Sequence, residues 1–338
     1  MLNVGIIGVR GYTGEELLYI LLRHPQVQVT GLYATNDLAQ HISKVFPKVK
    51  GKLDLVCKKP DLHEIDKNCE LVFLALPHTA SMNVVPQLLK MGKRVVDLSA
   101  DYRLKDIKVY EKFYHVSQKD KVGLSKAVYV LPELYRAKIK SAKLIANPGC
   151  YPTASILSLA PLAAFGLVDP DSIIIDAKSG FSGAGKKAVE SALLSETKDD
   201  FKAYKVNVHQ HSPEIDQELS NLAGKKLKVT FVPHLLPVYR GILVTVYAKK
   251  TGSARAKGLG GLYKKFYRNE PFVRIRGEGD YPRLKDVVNT NFCDIAVKDE
   301  ADKVIVIAAI DNLLKGASGQ AVQNMNIMYG FPETAALL

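Results

Sequence analysis

Val4-Gly5-Ile6-Ile7-Gly8-Val9-Arg10-Gly11-Tyr12-Thr13-Gly14 lies near the start of the chain and runs directly into Glu15-Glu16-Leu17. A short apolar run is followed here by glycines at every third position and then by a helical pattern over 15–23. Glycines at such a turn let the backbone approach a pyrophosphate at the N-terminus of the first helix. The stretch therefore predicts the opening strand, turn and helix of a Rossmann-type domain, whose dinucleotide would be contacted by Gly8, Arg10, Gly11, Tyr12, Thr13 and Gly14.

Beyond this stretch, short apolar runs continue to alternate with helical patterns. Strands are predicted over 4–7, 27–33, 71–76, 94–98 and 144–146, with a helix over 80–91. This alternation is typical of an open, mostly parallel α/β sheet. From about residue 171 the runs become longer and β-rich, over 172–178, 227–233, 241–249 and 304–310, before a last helix over 316–328. The second half is therefore expected to be an α+β domain with a mixed sheet.

The length of 338 residues also favours two domains over a single core. We place the Rossmann-type NAD(P)-binding domain at 1–147, completed by a C-terminal helix within 313–338. The second domain is placed at 148–312. No internal repeat or long linker separates the two.

The composition restricts the classes of function. Lys and Arg number 47 against 34 Asp and Glu, and the formal charge of +13 would suit nucleic acid, an acidic partner or anionic small molecules. The basic residues are scattered and not interleaved with aromatic residues, so a solvated basic surface is favoured over a nucleic-acid module. No apolar run reaches the roughly 18 residues of a membrane span, and the apolar start is interpreted as a strand and not as a signal peptide.

The four cysteines, Cys57, Cys69, Cys150 and Cys293, show no CxxC spacing and no accompanying pattern of histidines. Neither a structural metal site nor a disulfide framework is expected from this arrangement. A reduced, cytoplasmic compartment fits it best.

Cys150 stands apart because of its surroundings, Asn147-Pro148-Gly149-Cys150-Tyr151-Pro152-Thr153-Ala154. The Pro-Gly turn lies between a short apolar run and an apolar helical pattern over 154–164, so the cysteine is expected near a helix N-terminus. Backbone N–H groups and the helix dipole stabilise a thiolate there, and the same N–H groups can hold an oxyanion. The segment alone fits a nucleophile and a small buried hydrophobe equally well.

The residues after the second predicted strand indicate which dinucleotide would bind. An acidic residue at this point would hold the ribose hydroxyls of NAD, but the chain has Tyr33-Ala34-Thr35-Asn36. Thr35 and Asn36 can donate hydrogen bonds to a 2′-phosphate, and Arg10 could lie close to it. The pattern favours NADP, although Arg10 fits a surface arginine equally well.

Ten sequence blocks in order resemble the N-acetyl-γ-glutamyl-phosphate reductase family of arginine biosynthesis, a relative of the aspartate-semialdehyde dehydrogenases. The resemblance extends from end to end of the chain and is carried by residues 8–14, 74–78, 97–104, 131–134, 147–154, 179–186, 209–215, 233–235, 240–243 and 311–321. The chain departs from the family's frequent Arg at Lys186 and Gln210, and from a Ser-Arg-like pair at Thr35-Asn36.

The resemblance implies that NADPH reduces the acyl phosphate of N-acetylglutamate to the 5-semialdehyde, with release of phosphate. Cys150 would form a thioester, which accepts hydride better than a carboxylate. Collapse of the resulting thiohemiacetal needs an acid/base, for which His209 and His211 are the candidates. Which of the two moves the proton stays open, and either one could be a structural histidine. A metal site at His-x-His is disfavoured because no acidic or cysteine partner lies nearby in the sequence.

The resemblance also implies binding residues and an assembly. Arg103 is the first candidate for the substrate phosphate. Lys186 could contact phosphate or cofactor, and Arg240 and His234 are the candidates for the carboxylate end. Cofactor contacts are implied at Pro77, His78, Ser99, Ser182, Gly183 and Asn312, and Gly316 would begin the last helix. The second domain would carry catalysis and dimerisation, giving a homodimer or homotetramer through its sheet.

Three other functions fit less well. A paralogous reductase of lysine biosynthesis acts on an aminoadipyl phosphate carried by a small acidic protein, which the charge of +13 would suit. Aspartate-semialdehyde dehydrogenase fits worse because the block 209–215 belongs to the N-acetylglutamyl branch. A basic, non-catalytic Rossmann-like protein that binds nucleic acid would leave Cys150 and the histidine pair unexplained.

Overall fold

The computed structural model describes residues 1–35, 39–186, 200–254 and 258–338. These residues form two compact units, one of Met1–Pro148 with Ala317–Leu338 and one of Gly149–Gly316. Within the described ranges, no helix is both long and apolar enough to cross a membrane.

The first unit is built on a parallel sheet. The strands of this unit in the described residues are β1 (Leu2–Ile7), β2 (Val27–Tyr33), β3 (Gln40–His41), β4 (Val56–Cys57), β5 (Leu71–Leu74), β6 (Arg94–Asp97), β7 (Val128–Tyr129) and β8 (Leu144–Ala146). The sheet has the order β2-β1-β5-β6-β8-β7, and β3 pairs separately with β4. All pairs in the larger sheet are parallel. β5 is buried along its length, as expected of a strand covered on both faces. The predicted parallel α/β sheet is confirmed.

Helices connect these strands. They are α1 (Tyr12–Leu21), α2 (Ile42–Val45), α3 (Leu62–Asn68), α4 (Val85–Lys90), α5 (Ile107–Tyr114), α6 (Lys121–Lys126) and α7 (Pro132–Ser141). The side chains of Asp61 and Asp106 cap α3 and α5 by accepting backbone N–H groups of the first turn. The single helix predicted over 80–91 is wrong: a 3₁₀ turn, Ser81–Asn83, precedes α4. Pro86 has no N–H to donate, so it fits the first turn of a new helix but not a helix interior.

The second unit is built on a mixed sheet. In chain order its described elements are α8 (Cys150–Ala164), β9 (Ile174–Gly180), β10 (Lys202–Ala203), α9 (Ser212–Ala223), β11 (Thr230–Leu236), β12 (Ile242–Lys249), α10 (Leu259–Phe266), β13 (Val273–Ile275), α11 (Leu284–Val287), β14 (Cys293–Asp299) and β15 (Lys303–Ile310). The strand order is β10-β11-β9-β12-β15-β14-β13. β11 is parallel to β9 and β13 to β14, whereas the other pairs are antiparallel. The predicted mixed sheet is confirmed.

The core of the second unit lies on one face of this sheet. Buried side chains alternate along β12, where Val244 and Val246 join Leu157 of α8 in one hydrophobic cluster. The opposite face stays accessible, since Ile174 of β9 is 43% exposed and Tyr247 of β12 is 40% exposed. These two residues are cross-strand partners.

The chain ends with a helix that returns to the first unit, α12 (Gly319–Tyr329). The prediction that the last helix begins at Gly316 is wrong, because residues Leu314–Ser318 form a π-helical turn ahead of it. The Asn324 amide of α12 donates to the Asn147 side chain at 3.0 Å, and Arg94 donates to the carbonyl of Met328 at 2.7 Å. These bonds attach α12 to the ends of β8 and β6.

Candidate functional site

Cys150 is the first residue of α8 and is half-buried. Gly149, the residue before the helix, has an extended backbone, and its carbonyl accepts hydrogen bonds from the N–H and the hydroxyl of Thr153, both at 2.9 Å. The sulfur therefore lies where first-turn N–H groups have no partner within the helix. A thiolate at this position is stabilised by the helix dipole, as the sequence indicated.

Glu214 holds the turn before the cysteine. Its Oε1 accepts a hydrogen bond of 2.8 Å from the backbone N–H of Gly149. The residue is 1% exposed and lies in the first turn of α9, three positions after His211. A buried carboxylate thus fixes the N–H of Gly149, the residue immediately preceding Cys150.

The two histidines adopt a different local structure from the one expected. The spacing of His209 and His211 would place both side chains on one face of an extended segment, with Ser212 as the N-cap of the next helix, and the structure shows neither arrangement. His211 has helical dihedral angles and itself precedes α9, which begins at Ser212. Pro213 still lies in the first turn, where its missing N–H leaves no carbonyl unsatisfied.

An aromatic cluster brings the histidines next to Tyr151, the residue that follows the cysteine. The ring of Tyr151 lies 5.6 Å from that of His209 and 6.0 Å from that of His211, and the two imidazoles are 4.9 Å apart. Phe231 packs on Tyr151 and His209. Because Tyr151 directly follows Cys150, the structure gathers the three predicted catalytic residues around one helix start.

The backbone of His211 determines the tautomer of its neighbour. Its N–H donates to Nδ1 of His209 at 3.0 Å. In the neutral ring the acceptor nitrogen carries no hydrogen, so the proton of His209 lies on Nε2. His209 is 9% exposed, and the mostly buried ring is thereby oriented by the start of α9.

Two tyrosines near the sulfur remain neutral phenols. The hydroxyl of Tyr204 donates to that of Tyr151 at 3.4 Å, and Tyr151 donates to the carbonyl of His234 at 3.2 Å. Burial raises the pKa of Tyr204 to about 12, with a further contribution from Cys150. Burial also raises the pKa of Tyr151 far above its usual value. Both side chains are therefore hydrogen-bond donors and not bases near neutral pH.

The π-helical turn packs its backbone against the cysteine. A Cβ added to Gly316 would lie 2.8 Å from Cβ and 3.1 Å from Cα of Cys150. The N–H of Gly316 donates to the carbonyl of Asp311 at 3.0 Å. Only a glycine allows this approach without displacing Cys150.

Arg240 is paired with a carboxylate. Its Nε lies 2.8 Å from Oδ2 of Asp311, and one terminal nitrogen donates to Oδ1 at 2.8 Å. Next in sequence, the N–H of Gly241 donates to Oδ1 of Asn312 at 2.7 Å, and the Asn312 amide donates to the Ser182 hydroxyl at 3.0 Å. The structure thus joins the predicted residues Arg240, Asn312 and Ser182 in one network, with Gly183 in the same 3₁₀ turn as Ser182.

The other predicted substrate residues of this unit have separate environments. His234 lies 3.2 Å from Asp176, which also pairs with Lys178, and its ring packs against Phe201. Lys186 is half-buried and directly precedes residues 187–199, which lie outside the described part of the chain.

In the first unit the glycine turn forms a close cradle. Gly8 has φ +94°, and a Cβ there would lie 2.2 Å from the carbonyl oxygen of Ala75. A Cβ on Gly14 would lie 2.3 Å from the carbonyl oxygen of Gly8. Gly11 precedes α1, which begins at Tyr12 and not at the predicted residue 15, so Thr13 and Gly14 belong to its first turn. The N-terminus of a helix beside a turn of glycines fits a dinucleotide pyrophosphate.

Two loops beside this cradle are held by buried aspartates. Asp101 accepts hydrogen bonds from the N–H groups of Thr79 and Met82. Thr79 has φ +75°, a conformation strained for a β-branched residue. The N–H of Ala100 donates to Nδ1 of His78 at 3.2 Å, so the loop of Pro77 and His78 after β5 is fixed to the loop after β6.

Asp97 ends β6 within the same network. It accepts hydrogen bonds from the hydroxyls of Ser81 and Ser99, each at 2.7 Å, and from the Ser99 N–H at 3.0 Å. Complete burial, reinforced by nearby Asp101, raises the pKa of Asp97 to about 6 against the opposing effect of these hydrogen bonds. Asp97 therefore holds Ser99 through both the backbone N–H and the hydroxyl of that residue.

Arg103 is buried beside the turn that leads to Cys150. The side chain is 4% exposed, its Nε donates to the carbonyl of Asn147 at 2.8 Å, and a terminal nitrogen donates to the carbonyl of Leu98 at 2.7 Å. The guanidinium thus connects the loop after β6 to the residue after β8.

Two basic residues, Arg10 and Lys58, lie near the end of β2, and Lys58 pairs with Glu64 at 2.9 Å. Arg10 lies close enough to Cys57 that its charge opposes the effect of burial, which raises the pKa of that thiol. The N–H of Ala34 donates to the carbonyl of Lys58 at 2.9 Å, so a lysine adjoins Thr35, which is exposed. Asn36 lies outside the described residues.

Among the described residues, no group of three or more His, Cys, Asp or Glu side chains could hold a metal ion. Sequence reasoning gave no role to Glu214, Asp101 or Asp311, although each acid orients a predicted site residue or its loop. For Glu214 a signal exists, since an acidic residue follows Pro213 in the first turn of a helix. The partners of Asp101 and Asp311 are made by tertiary folding and leave no local signal.

Comparison with protein families matches each half of the chain to one model. Residues 3–142 match the family described as "Semialdehyde dehydrogenase, NAD binding domain", and residues 150–312 match "Semialdehyde dehydrogenase, dimerisation domain". N-acetyl-gamma-glutamyl-phosphate reductases are similar over the whole length. Those of Desulforudis audaxviator and Citrifermentans bemidjiense are 48% and 52% identical over 340 residues, covering 100% of this chain and 98% of each relative.

Solved structures of aspartate-semialdehyde dehydrogenases share the fold. One from Vibrio cholerae, complexed with ASA, has a TM-score of 0.74 at 16% identity and covers 98% of both chains. One from Candida albicans, with NADP, has a TM-score of 0.72 at 14% identity and covers 97% of this chain and 98% of its own. Both likenesses support the fold class described above.

Proposed function

Because the chain belongs to the N-acetyl-gamma-glutamyl-phosphate reductases of the semialdehyde dehydrogenase family, we propose that it reduces N-acetyl-L-glutamyl 5-phosphate to the 5-semialdehyde. NADPH is the reductant, phosphate is released, and the product serves L-arginine biosynthesis. The observation that carries the proposal is Cys150 at the first position of α8, with His209 and His211 gathered around the adjacent Tyr151.

The Cys150 thiolate attacks the carbonyl carbon of the acyl phosphate. A carbon–sulfur bond forms and the carbon–oxygen bond to phosphate breaks, so the products are a thioester and inorganic phosphate. The first-turn N–H groups of α8 stabilise both the thiolate and the oxyanion of the tetrahedral intermediate. Glu214 and Gly316 hold the nucleophile in place through the Gly149 peptide and the Cys150 backbone.

We assign proton transfer to His211 and orientation to His209. Nδ1 of His209 accepts the His211 N–H, so protonation of that nitrogen would break a partly buried hydrogen bond. His209 instead offers Nε2–H as a donor to an oxygen of the intermediate. His211 then donates a proton to the oxyanion of the tetrahedral intermediate and takes it back from the hydroxyl as the thiohemiacetal collapses to aldehyde and thiolate.

The first unit fits a dinucleotide. When bound, NADPH supplies the hydride that reduces the thioester carbonyl. We propose that the cradle of Gly8, Gly11 and Gly14 and the first turn of α1 receive the pyrophosphate. The proposed contacts also include Tyr12, Thr13, Pro77, His78, Ser99, Ser182, Gly183 and Asn312. Arg10, Thr35, Asn36 and Lys58 are proposed to favour the 2′-phosphate of NADP.

The substrate presents a phosphate and an α-carboxylate. We assign the carboxylate to Arg240, since a guanidinium carries five N–H donors and can serve a second carboxylate beside Asp311. Arg103 and Lys186 are proposed for the phosphate end, and His234, with Arg240, for the carboxylate end. For Arg103 we propose a second role, which is to fix the carbonyl of Asn147 ahead of the nucleophile.

We propose a homodimer, or a homotetramer built from such dimers, in the cytoplasm. The exposed sheet face around Ile174 and Tyr247 belongs to the domain that the family description names for dimerisation. An Ile174→Asp, Tyr247→Lys variant should sediment as a smaller species than wild type.

Domain boundaries of 1–147 with 313–338, and 148–312, remain our proposal. The relatives do not favour the carrier-linked aminoadipyl phosphate.

The test is the reverse reaction: reduction of NADP by N-acetylglutamate 5-semialdehyde, with and without phosphate. We expect turnover that needs phosphate and is lost in a folded Cys150→Ala variant. No turnover of this aldehyde by folded, NADP-binding protein would contradict the proposed substrate. Full activity of Cys150→Ala would contradict the proposed nucleophile.

A further inference from the structure

Asp311 lies at the end of β15 and is completely buried, whereas Arg240 follows β11 and its side chain is 11% exposed. Two guanidinium nitrogens face the two carboxylate oxygens, each at 2.8 Å. A two-point pair of this kind fixes the plane of the guanidinium as well as its position.

The carboxylate itself is held by the backbone. Oδ2 accepts a hydrogen bond from the N–H of Asn289 at 2.7 Å, and Oδ1 accepts from Leu313 at 2.9 Å and Leu314 at 3.2 Å. These donors come from two separate segments. The backbone hydrogen bonds therefore fix the position of the Asp311 carboxylate. The orientation of Arg240 is set by this carboxylate and so by the fold around β15.

The same segment organises the proposed cofactor contacts. Asn312, adjacent to Asp311, accepts the N–H of Gly241 and donates to Ser182. The N–H of Ser182 in turn donates to the carbonyl of Tyr239 at 2.9 Å. Arg240 is thus held through its side chain, by Asp311, and through the backbone of its neighbours Tyr239 and Gly241.

We propose that Asp311 is a positioning residue that holds the guanidinium of Arg240 in the orientation that receives the substrate α-carboxylate. The inference rests on the proposed function, which assigns that carboxylate to Arg240. A purely structural ion pair would stabilise the fold equally well, but it would not affect the choice between substrates with and without a carboxylate.

The experiment compares two aldehydes in the phosphate-dependent reduction of NADP: N-acetylglutamate 5-semialdehyde and its α-methyl ester. Wild type should prefer the acid. Asp311→Asn should lose roughly 30-fold or more in kcat/KM for the acid, chiefly through KM, and change little for the ester. The double variant Asp311→Asn, Arg240→Gln should be no worse on the acid than Arg240→Gln alone, because the two residues act as one unit.

A matched control is available in the same unit. Asp294 is also completely buried and accepts two hydrogen bonds from the guanidinium of Arg274. Asp294→Asn should cost stability without changing the preference for the acid. If Asp311→Asn does not fold, Arg240→Lys is decisive, because it keeps the charge but cannot form the two-point pair.

Equal losses on the two aldehydes, additive effects in the double variant, or an acid preference retained by Arg240→Lys would overturn the proposal. If the wild-type protein turns over neither aldehyde, the proposed function is itself overturned. The assignment of the substrate α-carboxylate to Arg240 then falls with it. The two failures are therefore distinguishable.

Discussion

The backbone N–H of Gly149 donates a hydrogen bond of 2.8 Å to the buried carboxylate of Glu214, a residue 65 positions away in the sequence. This bond connects the start of α8, where Cys150 lies, to the first turn of α9, which the histidine pair precedes. The proposed nucleophile and the proposed acid/base are thus linked by one contact between two helix starts.

Removal of this acceptor should impair catalysis more than folding. Glu214→Ala leaves a buried N–H unsatisfied, at a cost of about 1–3 kcal/mol, and we expect kcat to fall by roughly tenfold to a hundredfold. Glu214→Gln keeps an oxygen acceptor and should lose less. The measurement is kcat alongside thermal unfolding. Glu218, one turn later and also buried, is the matched control, and an equal loss of kcat in Glu218→Ala would contradict the specific role of Glu214.

The two histidines should differ in their effect on the pH profile. His209→Asn can still accept the His211 N–H through Oδ1, so the pH dependence of kcat/KM should be retained. His211→Gln should reduce kcat by about 10²–10⁴ and remove the ionisation that belongs to the acid/base. Steady-state rates across neutral pH test this assignment. A profile that changes in His209→Asn but not in His211→Gln would reverse the two roles.

Gly316 should tolerate no side chain. The Cβ of Gly316→Ala would lie 2.8 Å from Cβ of Cys150, so the nucleophile or the π-helical turn must shift. Overpacking of this kind costs about 1–3 kcal/mol, and we expect lower kcat with altered alkylation of Cys150 by iodoacetamide. Gly260→Ala is the control, because a Cβ there meets no atom within 4 Å. Wild-type kcat in Gly316→Ala would refute the packing argument.

The buried carboxyl of Asp97 should make stability depend on pH. Its pKa in the folded state is about 6, above the usual value of 3.8 for an aspartate, so the folded protein binds the proton more tightly than the unfolded chain. The contribution of Asp97 to the free energy of unfolding is therefore complete below about pH 4 and is lost as the pH rises to about 6. Each unit of pKa difference corresponds to roughly 1.4 kcal/mol.

Asp97→Asn should remove this dependence. The free energy of unfolding, from urea titrations between pH 4 and pH 7, should fall less steeply in the variant than in wild type. Burial also raises the pKa of Asp216 to about 6, so part of the slope should persist. Parallel curves for the two proteins would show that Asp97 does not titrate as described.

Periodicity and glycine spacing were sufficient to predict both sheets and the cofactor turn. These are local signals: the apolar run of β1 and the glycines of the following turn are adjacent in the chain. Errors arose at helix starts. α1 begins at Tyr12 because the glycine turn itself forms the first helical turn, and α9 begins at Ser212 because His211 is already helical.

The contacts that orient the site residues could not be predicted. Glu214 meets Gly149, and Asp311 meets Arg240, only after distant segments fold together. Arg103 illustrates the same limit, since the sequence shows a cation but not that backbone carbonyls of Asn147 and Leu98 take up two of its donors.

The central claim is that Cys150 carries the acyl group. The most direct test is intact-protein mass spectrometry after incubation with N-acetylglutamyl 5-phosphate in the absence of NADPH, followed by peptide mapping. We expect one N-acetylglutamyl group per chain, attached to Cys150, released by NADPH as the aldehyde and absent in Cys150→Ala. An unmodified wild-type chain that still reduces the substrate, or the same adduct in Cys150→Ala, would contradict the account.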